Sequence, residues 1–289
     1  MSKGVAVWAG ACPGAGAGLA RALGAEGYTV YVTGRSQRPD ASPLGGTIHD
    51  TAAQVTAAGG RGVAYPCDHA DDAQVQALFK TVERDEGRLD ILVNNATTLH
   101  DQLIQPGPFW TKPTDMVDIL NVGLRSSYIA SHAAAPLLVA KPGGLMIFTS
   151  APGAVSYTHG PAYGAQKAGT DQMSADMAVE LRPYGCASVA LWMGILKTER
   201  TAAAVAERPG QFDALLAMAE TPDFTGRVIA AIHKDPNMME LSGNSIIGAE
   251  QAQIYGIRDL DGNSPGSLRP LVGGPFKYDA LVLDEGRGV

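Results

Sequence analysis

Residues 5–26 read VAVWAGACPGAGAGLARALGAE. Five apolar residues, Val5–Ala9, suit a buried strand. A glycine-rich turn follows, and then an Ala/Leu-rich stretch, 17–26, that is competent to form a helix. Gly10 permits a tight turn between the two. Gly14 and Gly16 leave backbone amides free to approach a pyrophosphate at a helix N-terminus. A glycine triplet is weak evidence alone and gains weight here only because it stands between a strand and a helix. No GxxxxGK[ST] is present, which sets a P-loop NTPase aside.

The same alternation continues along the chain. Strands are predicted at Tyr28–Thr33, Val63–Tyr65, Leu89–Val93, Leu145–Thr149, Val189–Trp192 and Ser245–Ile247. Helices are predicted at Thr47–Ala58, Asp71–Glu86, Asp115–Val139, Ala162–Leu181 and 224–233, with Pro136 kinking or ending the long one early. The stretch 198–220 reads as helical but irregular. Short apolar strands alternating with helices imply a parallel sheet covered on both faces, doubly wound, with about seven strands and the whole of 1–289 as one domain. Ligands bind such sheets at the C-terminal strand ends.

Composition narrows the function. The 289 residues carry Lys+Arg 22 against Asp+Glu 29, a net charge of −7, with no basic run, which argues against a nucleic-acid binder. No apolar stretch reaches the ~18–20 residues that cross a bilayer. The opening MSKGVAVWAGAC has too short an apolar run for a signal peptide. Three widely spaced cysteines, Cys12, Cys67 and Cys186, suit a reducing, cytoplasmic setting. The six histidines show no metal-ligand spacing. Gly is 35 of 289, well above the usual ~7%, and this excess needs a reason.

Chemistry is suggested by Tyr163-Gly-Ala-Gln-Lys167, a YxxxK pair near a helix start. Spacing i, i+4 puts both side chains on one face. A free tyrosine ionises near about 10, and a neighbouring Lys⁺ favours the tyrosinate, so the pair suits a general acid/base. Ser150 ends a predicted strand at the expected cleft and can hydrogen-bond a carbonyl oxygen. Arg35, after the second strand, suits a ribose 2′-phosphate where an acid would suit free hydroxyls. That favours NADP(H), with NAD(H) as the other candidate. A methyltransferase using S-adenosylmethionine shares a Gly-rich first loop but has no use for Ser150, Tyr163 and Lys167.

Taken together, Gly10/Gly14/Gly16, Asp68, Asn94-Asn95-Ala96, Asn121, Ser150, Tyr163/Lys167 and Met193-Gly194 with Thr198 resemble the short-chain dehydrogenase/reductase family over residues 4–257. Three short stretches, NVGLRSSY (121–128), ALWMGILKTE (190–199) and YGIRDLDG (255–262), are similar to one mammalian and bacterial subgroup of it. The resemblance implies a Rossmann-type fold and an NAD(P)(H)-dependent oxidoreductase acting on a small carbonyl or alcohol, here an apolar one. It implies Tyr163 as the acid, Lys167 as its tuner and ribose ligand, Ser150 as the carbonyl's partner and Asn121 as holder of a relay water. Asp68 would contact adenine, Asn94 would steady the cofactor-side strand end, and Thr198 would meet the cofactor. Gly10, Cys12, Gly14, Gly16, Arg35, Ser36, Ala96 and Gly194 complete the implied cofactor contacts.

The chain departs from the family pattern at Ala9 (usually Thr), Cys12-Pro13 (often Ser-Arg), Ala15 (Ile), Thr97 (Gly) and Met193 (Pro), none of which removes a reacting group. Residues 196–224 stand in the place of the family's lid, with apolar faces at Ala202–Ala206 and Leu215–Met218 that suit a hydrophobic substrate. His159 and Tyr157 lie in the loop before Tyr163, and either can reach the substrate. Phe109-Trp110 reads as a core anchor for its loop. The two long helices, with small residues Ala133, Ala134, Ala135, Ala175 and Ala178, are the family's usual subunit interface and imply a homodimer or homotetramer. Residues 37–47 and the extension 258–289 carry no assigned role. A non-catalytic nucleotide-binding protein on the same fold is the alternative. Replacing Arg35 with Asp should move cofactor preference from NADPH toward NADH in paired binding titrations; an unchanged ratio refutes the role given to Arg35.

Overall fold

The computed structural model describes residues 2–10, 15–41, 46–207, 210 and 213–278. Seven strands form one parallel sheet: β1 (Val5–Ala9), β2 (Thr29–Gly34), β3 (Arg61–Pro66), β4 (Ile91–Asn94), β5 (Leu145–Ser150), β6 (Ala187–Trp192) and β7 (Ser245–Ile247). The order is β3-β2-β1-β4-β5-β6-β7. The chain therefore winds outward in both directions from β1 and β4, a Rossmann-like arrangement whose loops part at that junction. The helices are α1 (Ala15–Ala25), α2 (Ile48–Ala57), α3 (Asp72–Glu86), α4 (Asp118–Leu120), α5 (Ser126–Leu138), α6 (Pro161–Leu181), α7 (Glu199–Glu207), α8 (Asp213–Leu216), α9 (Pro222–Lys234), α10 (Met238–Leu241), α11 (Gly248–Tyr255) and α12 (Arg269–Val272). No helix among the described residues is long and apolar enough to cross a membrane.

Alternation along the strands feeds two cores. Ala6 and Trp8 of β1 join Leu19, Leu23, Val55, Val228 and Ile229 on the face covered by α1, α2 and α9. Val5 and Val7 join Val75, Leu78, Phe79, Val82 and Ala134 on the face covered by α3 and α5. Such two-sided burial is why the strands read as continuous apolar runs. Glycine allows the helices to approach closely. A Cβ on Gly24 would lie 2.6 Å from the Val55 carbonyl oxygen, and one on Gly226 would lie 2.6 Å from that of Leu19.

The structure corrects several expectations. β3 runs three residues longer than its apolar centre, paired from Arg61↔Thr29 to Pro66↔Gly34. Its terminal Pro is tolerated because it is an edge strand. The helix expected at 115–139 is interrupted: a 3₁₀ turn (Thr114–Val117) leads into α4, and a π turn (Asn121–Arg125) joins α4 to α5. Its loosened carbonyls find side-chain donors. Ser126 Oγ donates to Val122 O, Ser127 Oγ to Gly123 O at 3.0 Å, and Gln166 Nε2 to Gly123 O at 3.2 Å. Pro136 sits inside α5, which ends two residues later. Phe109 and Trp110 are not core anchors. They are 63% and 74% exposed, stacked edge-on to each other at 5.3 Å in a turn closed by its own backbone. Of the small residues expected at a subunit interface, Ala134, Ala175 and Ala178 are buried within this chain. The extension packs on the same chain over its described part, to residue 278. Asp259 accepts from Thr221 N at 2.7 Å, Lys197 reaches Asp261 at 2.9 Å, and Arg269 grips Glu250 through two bonds of 2.8 and 2.7 Å.

At the N-terminal end of the central strands, remote from the cleft, buried Asp90 joins three segments. Its Oδ2 accepts from Val5 N at 2.6 Å and faces Arg88 at 3.2 Å, while Oδ1 meets Lys141 at 2.6 Å. Asp90→Ala leaves the Val5 N–H without this acceptor. It should cost about 1–3 kcal/mol in urea unfolding; an unchanged midpoint would contradict the assigned tie.

Candidate active site

Gly10 leaves β1 at φ +80, a left-handed turn that a side chain would strain, and a Cβ there would lie 2.6 Å from Ala96 Cα. The loops after β1 and β4 therefore touch through bare backbone. Asn95 Nδ2 fixes the contact by donating to Gly10 O at 2.9 Å. Asn94 is turned the other way: its Nδ2 donates to Ser131 Oγ at 2.9 Å, and its buried Oδ1 has no partner. Gly16 is buried in the first turn of α1. Cys12 and Gly14 lie outside the described residues.

Beyond β2, the Arg35 side chain is 75% exposed, with its guanidinium 4.0 Å from Asp68. Asp68 accepts from Ala70 N at 3.0 Å, and Ser36 is buried, its carbonyl accepting from Ile48 N at 3.0 Å. The bare turn at Gly10 and the exposed Arg35 cation, only loosely paired with Asp68, both fit a dinucleotide. Gly10, Gly16 and Ala96 would border its pyrophosphate end, and Arg35 its adenosine end.

Ser150 ends β5 with no exposure at all, and its Oγ has no hydrogen-bond partner. Tyr163 lies in the first turn of α6, pressed on Gly153, where a Cβ would come within 2.4 Å of its ring. One turn on, buried Lys167 donates from Nζ to Thr149 O at 3.1 Å, with Nζ 5.7 Å from the Tyr163 ring centre. Thr149 Oγ1 lies 3.1 Å from Asn95 Oδ1 and 3.3 Å from Asn94 O, donating between them. Asn95 and Thr149 thus join the glycine turn to Lys167. Asn95 stood in the sequence only as part of the Asn94-Asn95-Ala96 run and Thr149 only as the end of a predicted strand, because only the sheet brings them together.

His159 meets the Tyr163 ring edge-on at 4.9 Å, while Tyr157 is 83% exposed. Asn121 opens the π turn and its exposed side chain donates to Asp118 at 3.0 Å. Among the described residues no hydrogen bond joins it to Lys167. Thr198 accepts from Thr201 N at 3.3 Å at the head of α7. Gly194 is held small by a neighbour: a Cβ there would lie 2.8 Å from Oε2 of buried Glu220. Burial pushes the Glu220 carboxyl up to about 7.

An apolar recess is lined by Pro152, Trp192, Met193, Gly194, Ile247 and Leu268, so the extension supplies part of its wall. A separate polar cavity of about 300 Å³ touches Thr198 but neither Ser150, Tyr163 nor Lys167.

The expected lowering of the tyrosine is not what burial produces. Tyr163 is pushed up to about 12 by desolvation. Lys167 is driven down to about 8 by the same cause, which Asp171 opposes. The lysine ammonium is committed to the Thr149 carbonyl, and loss of water dominates for both groups. Between about 8 and the ordinary 10.5, the unfolded chain holds a proton on this lysine that the folded chain has shed. The lysine's penalty on stability is therefore largest below pH 8 and fades as pH rises through that window. The stability difference between wild type and Lys167→Met should follow that pH dependence in denaturant melts; a difference flat from pH 7 to 10 would contradict it.

The chain can now be set beside known proteins. A family model described as short chain dehydrogenase matches residues 4–209. The human dehydrogenase/reductase SDR family member 1 is 37% identical over 273 residues, covering 91% of this chain and 85% of that one. The 3-oxoacyl-[acyl-carrier-protein] reductase of Synechocystis sp. is 27% identical over 242 residues, covering 83% and 93%. A solved short-chain dehydrogenase/reductase from Serratia marcescens superposes with a TM-score of 0.73 at 26% identity, covering 86% and 96%.

Proposed function

This chain belongs to the short-chain dehydrogenase/reductase family, and from that premise we propose that it is an NADPH-preferring carbonyl reductase or alcohol dehydrogenase. Its substrate is an apolar ketone, aldehyde or secondary alcohol. One observation carries the reading. Ser150 Oγ is fully buried and unpartnered at the strand end where Tyr163 and Lys167 also lie. A buried hydroxyl without a partner costs free energy, and a substrate carbonyl oxygen would satisfy it.

When bound, the nicotinamide supplies or accepts the hydride. The protein holds the carbonyl and moves the proton. Ser150 donates to the carbonyl oxygen and fixes its place. Tyr163, kept protonated by burial, delivers its hydroxyl proton to that oxygen during reduction and recovers it during oxidation. Lys167, held by Thr149, contributes positive charge beside the tyrosine as the proton leaves and would hold the cofactor's ribose hydroxyls. Arg35 would meet a 2′-phosphate on the adenosine ribose, which is the ground for the NADPH preference. The recess beside Gly194 has apolar walls, which suit an apolar group, though its volume is only about 10 Å³.

Tyr163→Phe keeps the ring on Gly153 and removes only the proton. It should lower kcat for NADPH-dependent reduction across a carbonyl panel by about 10²–10⁴-fold, with NADPH affinity unchanged by fluorescence titration. Full activity in that variant would sink the mechanism.

A further inference from the structure

Asp171 stands one helical turn beyond Lys167 and two beyond Tyr163, so the three side chains share one face of α6. It is 1% exposed. Trp192 of β6, itself 1% exposed, donates Nε1–H to Asp171 Oδ2 at 2.8 Å. Oδ1 has no hydrogen-bond partner. Burial pushes this carboxyl up, and the Ser150 and Ser245 hydroxyls of β5 and β7, with Trp192 and Lys167, oppose that rise and favour its charged form. From the extension Tyr278 faces it, and from α6 Lys167 does. Lys167 is the one cation acting on Asp171 among the described residues, and Asp171 the one anion acting on Lys167.

A carboxylate in such a place is costly. An asparagine would accept the Trp192 hydrogen bond equally well, so what the carboxylate adds is charge. Its partner is a lysine that burial strips of water and whose nearest bonded group is a neutral carbonyl.

We propose that Asp171 is a positioning residue that keeps Lys167 protonated beside Tyr163, and that Trp192 holds its carboxylate in place. The assignment deepens the reading given above and rests on it only for the consequence in turnover. Without the negative charge, desolvation acts on Lys167 unopposed and the lysine loses its proton at a lower pH. Neutral Lys167 would no longer help charge to develop on Tyr163, so reduction would fail earlier on the alkaline side.

The test reads Lys167 directly. In protein labelled with ¹³C at lysine Cε, the Lys167 resonance is assigned by its absence in Lys167→Met and followed from pH 6 to 11. Asp171→Asn should move its midpoint down by about one unit or more. Trp192→Phe, which frees the carboxylate but keeps its charge, should move it the same way by less. Trp192→Phe also provides the test if the first variant does not fold. The alkaline limb of kcat/KM for NADPH-dependent reduction should shift in parallel. An unmoved midpoint in both variants, with only a lower melting temperature, would overturn the proposal and leave Asp171 a packing residue. Because the resonance needs no turnover, this outcome is distinct from an active Tyr163→Phe, which would overturn the catalytic reading alone.

Discussion

The carbonyl and hydroxyl of Thr149 hold the candidate site together. The carbonyl takes the ammonium of Lys167, and the hydroxyl bonds toward Asn95, whose amide holds the carbonyl of Gly10. Three segments distant in sequence, the turn after β1, the loop after β4 and the second turn of α6, are thus in one chain of hydrogen bonds. Each link is buried or partly buried, where a lost partner is not replaced cheaply by water. The position of the lysine is then set by the sheet register β1–β4–β5 and not by the lysine's own flexible stem. That rigidity is what a site needs if a proton is to pass at a fixed atom.

The features legible in the sequence share a property: their geometry is internal to one element. Tyr163 and Lys167 meet because a helix repeats every 3.6 residues, and the glycine turn lies where a strand must become a helix. The doubly wound sheet follows from many such elements in alternation. Asn95, Thr149, Asp171 and Glu220 had no such signature, since each is held against a group 18 or more residues away. The π turn at Asn121 was hidden for a related reason. Its cause is Gln166 and two serine hydroxyls accepting the work of the missing backbone bonds, and the local pattern alone reads as helix. Phe109 and Trp110 misled because hydrophobicity was taken for burial, while their proline-flanked turn satisfies itself at the surface. At Tyr163 the spacing shows the nearby cation but not the loss of water, and the loss of water dominates.

The glycine excess resolves into two uses. A few glycines, Gly10 among them, leave the turn after β1 bare where a cofactor would pass. More let layers touch: Gly18 against Pro222, Gly24 against Val55, Gly60 against the Tyr28 carbonyl, Gly62 against Ala52. In each case a single methyl group would meet another atom at 2.6 Å or less. The chain accepts the entropy cost of glycine in exchange for helices seated directly on strands and on one another, which leaves α1 firmly placed behind the turn that opens it.

One further consequence follows from how the segment 196–220 begins and ends. Leu196 and Glu220 form an isolated parallel β-bridge, Lys197 N bonds Glu220 O at 2.8 Å, and Lys197 and Thr221 are each tied to the same short stretch, Asp259–Asp261. The two ends are therefore closed on each other before anything between them is specified. A loop whose mouth is already fastened adds little closure cost when it grows, roughly 0.6 kcal/mol per doubling of length. Insertions or deletions within it leave the sheet, Thr149 and Lys167 where they are. The scaffold thus separates two problems, holding Thr149 and Lys167 in place while the span between Leu196 and Glu220 is free to vary.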